Sequence, residues 1–187
     1  NFGTANYPEW MDKIQKVRES FALLIGATPE EVAFVKNTSE GLSIIANGID
    51  WKPGENVVVP NIEFPANVYP WQNLKRHGVE TRMVSCSNGR VDFEKIVDAV
   101  DEKTRVLSIS SVECNSGFRN DLARLGEFCK KKEIYFCVDA IQSLGALQIN
   151  VEDYHIDFLA ADGHKWLLSV EGLGGFYIDA KMLEKIY

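Results

Sequence analysis

With 187 residues, 45% of them hydrophobic, the chain can bury a substantial core, yet no apolar run approaches the ~18 residues that a membrane span requires. Against 20 basic residues stand 27 acidic ones, and the resulting net charge of −7 excludes the basic footprint of a nucleic-acid-binding protein. Four cysteines (Cys86, Cys114, Cys129 and Cys137) form no C-x-x-C pair and no metal-type His/Cys cluster, so neither a disulfide framework nor a metal site is expected. The chain opens at Asn1 without a leader-like segment, and the expected compartment is the cytoplasm.

From the N-terminus, Trp10, Ile14, Val17, Phe21 and Leu24 recur at helical spacing and predict an amphipathic opening helix. Thr28-Pro29-Glu30-Glu31 combines a cap, a first-turn proline and acids, which predicts a short helical turn. Strand-like runs then fall at 32–36, 56–59, 79–84, 105–110, 134–138, 157–161 and 175–178. Helical patterns at 39–47, 66–77, 92–100 and 121–132 separate them. The last of these carries Leu122, Leu125, Phe128 and Cys129 on one side and ends in Lys130-Lys131-Lys132, where cations suit the helix dipole. Cys129 and Cys137 read as small core hydrophobes. Several strands are apolar without alternation, as expected when helices cover both faces of a sheet. The pattern predicts one α/β domain, a three-layer α/β/α sandwich around a mostly parallel sheet, with no repeat, low-complexity stretch or linker.

Three segments carry chemistry. Gly163-His164-Lys165-Trp166 follows the strand-like Phe158-Leu159-Ala160-Ala161, placing a lysine where a cofactor-bearing amine would sit. Alone this says little, because most lysines are solvated surface charges. Upstream, the apolar run 134–138 ends in Asp139-Ala140-Ile141-Gln142, so an acid, an amide and an amine all fall at strand tips. Such tips border the crevice in which parallel α/β sheets bind ligands. Third, Asn37-Thr38-Ser39-Glu40-Gly41 joins a strand to a helix bearing Leu42, Ile45, Ala46 and Ile49. Free N–H groups, hydroxyls and the dipole make such a helix start an anion site. Plainer readings exist for each: Ser39 or Asp139 as a helix cap, and Asp162-Gly163 as an ordinary turn.

Taken together, and with Glu63-Phe64-Pro65-Ala66-Asn67 between them, these segments resemble the aminotransferase class V family of pyridoxal-phosphate enzymes, which includes the cysteine desulfurases and kynureninase-like members. The resemblance covers nearly the whole chain, in order and approximate spacing, and implies the large domain (1–187) of a fold type I enzyme with pyridoxal 5'-phosphate as cofactor. It implies that Lys165 holds the cofactor aldehyde as a Schiff base and moves the substrate's Cα proton, with Asp139 paired to the pyridinium nitrogen. Gln142 would reach the phenolic oxygen, Phe64 would stack on the ring, and Thr38, Ser39 and His164 would bind the phosphate. Asp162 stands where desulfurases place a phosphate-binding serine, and an acid there is expected to bond backbone N–H groups or His164. Desulfurases also carry a histidine in place of Phe64 and an asparagine in place of Cys114; the first difference predicts low desulfurase activity, since phenylalanine cannot titrate.

Members of the family are about twice this length, with a smaller C-terminal domain. The chain is therefore expected to be the large domain of a longer protein, assembled as a homodimer and acting on a small amino-acid substrate. The favoured activity is transamination, with elimination or desulfurisation as the alternative. From a different class comes the rival of a non-catalytic α/β ligand-binding domain.

Overall fold

The structure is a computed structural model and describes residues 3–186. Seven strands form one sheet: β1 (Val32–Val35), β2 (Asn56–Pro60), β3 (Glu80–Val84), β4 (Thr104–Ser110), β5 (Tyr135–Asp139), β6 (Phe158–Asp162) and β7 (Gly174–Ile178). Their order across the sheet is β1-β7-β6-β5-β4-β2-β3. From β3 to β6 every pairing is parallel; only β7 runs against its neighbours β6 and β1. All seven strands lie within two residues of the runs read from the sequence.

Two apolar cores explain the unalternating strands. Successive strand residues point to opposite faces, so Val58, Leu107, Ile109, Phe136, Val138 and Leu159 join one cluster while Val57, Val59, Val106, Cys137, Phe158 and Ala160 join the other. The first is covered by α1 (Tyr7–Ile25), α4 (Phe93–Ala99) and α5 (Leu122–Lys132), through Phe21, Ile25, Ile96, Leu122 and Leu125. The second is covered by α2 (Thr38–Gly48) and α3 (Tyr69–Gln72), through Leu42, Ile45 and Trp71. Three layers result, as the sequence predicts. Cys129 and Cys137 are fully buried, and burial raises both thiols well above their ordinary values, as fits inert core residues. No helix among the described residues is long and apolar enough to cross a membrane.

One expectation is corrected and a second is met with a difference in packing. The helix read over 66–77 is broken into a 3-10 turn at Pro65–Asn67, the single α-turn α3, and a second 3-10 turn at Asn73–His77. Pro65 and Pro70 each lack an N–H and disfavour helical geometry in the residue before them, which interrupts the ladder. The opening helix forms over 7–25, but its apolar stripe is largely uncovered: Trp10, Ile14, Val17 and Leu24 are each more than 40% exposed. Only its C-terminal turns pack, with Phe21 filling the space that a side chain at Gly175 would need (2.1 Å from a Cβ built there).

Candidate active site

The carboxyl ends of β4, β5 and β6 and the start of α2 converge on a cavity of about 230 Å³. It is lined by Thr38, Ser39, Phe64, Cys114, Asp139, Gln142, Asp162, His164 and Lys165, so every residue singled out from the sequence borders one space. Larger hollows exist, including one of about 740 Å³ beside Arg124, but there the guanidinium is already paired with Glu94 at 2.9 Å.

The walls are built by local rules. At α2 the cap is Asn37, not Ser39: its Oδ1 accepts from Glu40 N–H at 2.9 Å, and the Glu40 carboxylate reaches back to Lys36 N–H at 2.6 Å. That arrangement holds the first turn while leaving the Ser39 side chain exposed. Thr38 is buried, and its hydroxyl accepts from Asp162 N–H at 3.0 Å, tying α2 to the end of β6. Gly41 allows the close approach; a Cβ there would lie 2.9 Å from Ala160 Cβ. After β6 the chain folds into a tight loop, with Gly163 N–H donating to Leu173 O at 2.9 Å and Ser169 N–H to Gly163 O at 2.9 Å. A side chain at Gly163 would collide with Leu173 O (2.7 Å) and Ser169 Cβ (2.8 Å), so the residue before His164-Lys165 has to be glycine.

Buried acids lie at and behind the cavity wall. Asp139 is 1% exposed, and one of its oxygens accepts from Ile141 N–H at 3.0 Å. Burial raises its carboxyl to about 7 and the nearby Glu63 charge adds to that, while Lys165 pulls the other way. Glu63 and Glu113 are also buried and pushed to about 7, each by desolvation first; Glu113 further raises Glu63, and Asp139 further raises Glu113. Asp162 Oδ1 lies 3.1 Å from His164 Nδ1 but is poorly aligned for a hydrogen bond and has no other partner among the described residues. The acid lies against His164, but neither expected hydrogen bond, to a backbone N–H or to His164, is made by Oδ1. Among the described residues no group of three or more His, Cys, Asp or Glu side chains is arranged to hold a metal. A buried carboxylate with few donors, opposite a lysine and beside a helix start, fits a flat heteroaromatic ring that brings a cation at one end and an anion at the other.

The three raised carboxyls make stability depend on pH. Each binds a proton more tightly folded than unfolded, so each stabilises the fold below its unfolded value and loses that contribution as pH rises through about 7. Asp157, raised by burial to about 6, adds with the same sign at slightly lower pH. Asp101, held low by hydrogen bonds from Asn56 and Arg82, titrates below this window. The apo-protein is expected to melt at least ~3 °C higher at pH 5.5 than at pH 8. A carboxyl whose proton affinity rises ten-fold on folding contributes ~1.4 kcal/mol, and each kcal/mol is ~2–4 °C at this size. Asp139→Asn should flatten the dependence. A melting temperature that falls on acidification across this range would refute the assignment.

Sequence reasoning passed over Glu63 as a functional side chain and gave no part to Glu113 or Ser110. The first is visible only as a member of Glu63-Phe64-Pro65-Ala66-Asn67; its partner Ser110 is 47 residues away and no spacing rule connects them.

Comparison with known proteins is consistent with this geometry. A probable cysteine desulfurase of Methanothermobacter thermautotrophicus is 39% identical over 166 residues, covering 88% of this chain and 42% of that protein. An uncharacterized aminotransferase of Bacillus subtilis is 28% identical, covering 97% and 48%. Among solved structures, the apo cysteine desulfurase of Thermococcus onnurineus superimposes with a TM-score of 0.89 at 30% identity, covering 94% of this chain and 44% of that one. The cystine C-S lyase C-DES in complex with its product cysteine persulfide gives 0.90 at 25%, covering 97% and 50%. The chain spans less than half the length of these two curated relatives. The family profile of aminotransferase class-V matches residues 6–187, and the chain belongs to that family.

Proposed function

We propose that this chain is the cofactor-binding large domain of a pyridoxal-phosphate-dependent lyase that cleaves the carbon–sulfur bond of cystine-like amino acids. The observation that carries the reading is the single cavity in which Lys165, Asp139, Gln142, Phe64 and the start of α2 meet. When bound, pyridoxal phosphate supplies an aldehyde carbon to hold an amino group and a ring to accept an electron pair. Lys165 would provide the amine that holds the cofactor and would serve as the base for the substrate's Cα proton. Asp139 holds a proton at the ring nitrogen. Gln142 donates to the phenolic oxygen, Thr38, Ser39 and His164 take the phosphate, and the Asp162 carboxylate orients His164.

Phe64 narrows the chemistry. Its ring is 53% exposed at the cavity, able to stack but not to give or take a proton. Lys165 is then the mobile base, and a poor leaving group such as a free thiolate gets no acid from the stacked residue. A disulfide-bonded substrate needs none, because it leaves as a stabilised persulfide: cystine and water give pyruvate, ammonia and cysteine persulfide. The likeness to the cystine C-S lyase supports this substrate class. Transamination is the second reading, supported by relatives described as aminotransferases; it uses the same lysine and also needs no acid from Phe64.

The test is to incubate the full-length protein with cystine, cysteine and a panel of other amino acids, with and without a keto-acid acceptor. Pyruvate and persulfide formed from cystine without acceptor support the lyase, whereas keto acid formed only with acceptor supports transamination. Fast persulfide transfer from cysteine would place the protein with the desulfurases despite Phe64. For the ring contact, Phe64→Tyr or Phe64→Trp should keep most pyridoxal-phosphate affinity and Phe64→Ala should lose up to about ten-fold, in line with aromatic pairs worth ~0.5–1.5 kcal/mol beyond area burial. An unchanged dissociation constant in Phe64→Ala would remove Phe64 from the site.

A further inference from the structure

We infer that Glu63 is a positioning residue that fixes the ring of Phe64 by clamping its loop to the tip of β4. Beyond Val58↔Leu107 the ladder between β2 and β4 ends, and β2 itself ends at Pro60. Ser110, the last residue of β4, therefore lacks a main-chain partner on that side. The Glu63 side chain takes the role: one oxygen accepts from Ser110 N–H at 2.5 Å and the other from Ser110 Oγ–H at 2.5 Å. Two residues earlier on the same face of β4, Ser108 Oγ–H donates to Asn67 Oδ1 at 2.5 Å, and Trp71 Nε1–H donates to the same oxygen at 3.1 Å. Phe64 and Pro65 are thus held between two buried side-chain anchors, while Phe64 itself is 53% exposed.

A carboxylate is a costly choice for a buried clamp. It desolvates one charge beside two more, Glu113 and Asp139. What it supplies is two acceptors at fixed separation, matching the two donors of one serine. Because Ser110 lies in register with Asp139, the same clamp ties the ring-covering residue to the strand that carries the ring-nitrogen partner. Stack and acid are thereby held at a fixed spacing, which a loop tethered only by its backbone would not ensure.

This inference rests on the cofactor reading for its consequence and not for its geometry, and the experiment separates the two. In the full-length protein, four variants are compared with wild type: Glu63→Gln, Glu63→Ala, Phe64→Ala and the double Glu63→Ala/Phe64→Ala. In the apo-protein, hydrogen exchange at Ser110, Asn67 and Val68 should accelerate at least ten-fold in Glu63→Ala and stay near wild type in Glu63→Gln, whose amide can accept from Ser110 N–H and donate to Ser110 Oγ. With pyridoxal phosphate added, Glu63→Ala should weaken binding about as much as Phe64→Ala, and the double variant should be no worse than either single one. Glu63→Gln should bind within about three-fold of wild type.

Unchanged exchange in Glu63→Ala overturns the clamp. Additive losses in the double variant, or a Glu63→Gln as weak as Glu63→Ala, overturn the action through Phe64 and make Glu63 an electrostatic group. A wild-type protein that binds no pyridoxal phosphate overturns the proposed function, while the exchange measurement still decides the clamp.

Discussion

Under the proposed function, replacing Lys165 by alanine is expected to abolish turnover in the full-length protein, because it removes both the amine assigned to carry the cofactor and the base assigned to take the Cα proton. The geometry singles out Lys165: it lines the cavity together with Asp139 and lowers the Asp139 carboxyl by its charge. A positioned general base contributes about 10²–10⁴-fold, and loss of the covalent attachment adds to that, so activity should drop by at least four orders of magnitude. Binding of the cofactor should survive, weakened, through Asp139, Gln142 and the start of α2. Borohydride reduction of the wild-type holoenzyme followed by peptide mapping checks the assignment directly, with the pyridoxyl label expected on Lys165. A label on Lys36 or Lys181 would move the site. Both are exposed, just before α2 and beyond β7, and neither borders the cavity.

Asp139→Asn is the second large effect. The carboxylate is buried among other acids at a cost shown by its rise to about 7, and under the proposed function a cation at the ring nitrogen offsets this cost. Asparagine is nearly isosteric and can still accept from Ile141 N–H, so the fold should hold. Its amide cannot keep a proton on the ring nitrogen. A preorganised charge partner is worth ~2.7–4 kcal/mol at a transition state, or about 10²–10³ in the rate of Cα deprotonation. The measurement is exchange of the substrate Cα hydrogen with solvent, which isolates that step from later ones. Near-normal exchange in Asp139→Asn would reduce Asp139 to a cap on the turn after β5. Between pH 6 and pH 8, pyridoxal-phosphate affinity should also change less in the variant than in wild type, since the titrating carboxyl has been removed.

The corrected elements show where local rules stop. The prolines at 65 and 70 are visible in the sequence, yet the 66–77 run still has helical apolar spacing, and Trp71 and Leu74 are buried as that spacing predicts. The apolar faces are legible from the spacing, and the break in the ladder follows from Pro65 and Pro70, which the apolar spacing alone does not weigh. The stripe on α1 was equally legible, but what it packs against is a property of other surfaces. Only Phe21, Ala22 and Ile25 are buried against neighbours in this chain.

The sequence by itself determined the strands, the two-faced burial of the sheet and the candidate residues of the site, because period, strand-tip chemistry and helix-start composition are all encoded within a dozen residues. It put Lys165, Asp139, Gln142 and Thr38 at one end of the sheet, where the structure also has them, since parallel strands must all point their carboxyl ends the same way. Only the tertiary structure decided that β7 is reversed and that Thr38 is engaged by Asp162. It alone brought Glu63 to Ser110 and gathered Glu63, Glu113 and Asp139 into one buried group of interacting acids. The Glu63 and Thr38 contacts join residues 47 and 124 positions apart. Their strength comes from exclusion of water at strand tips, which no local pattern of side chains reveals.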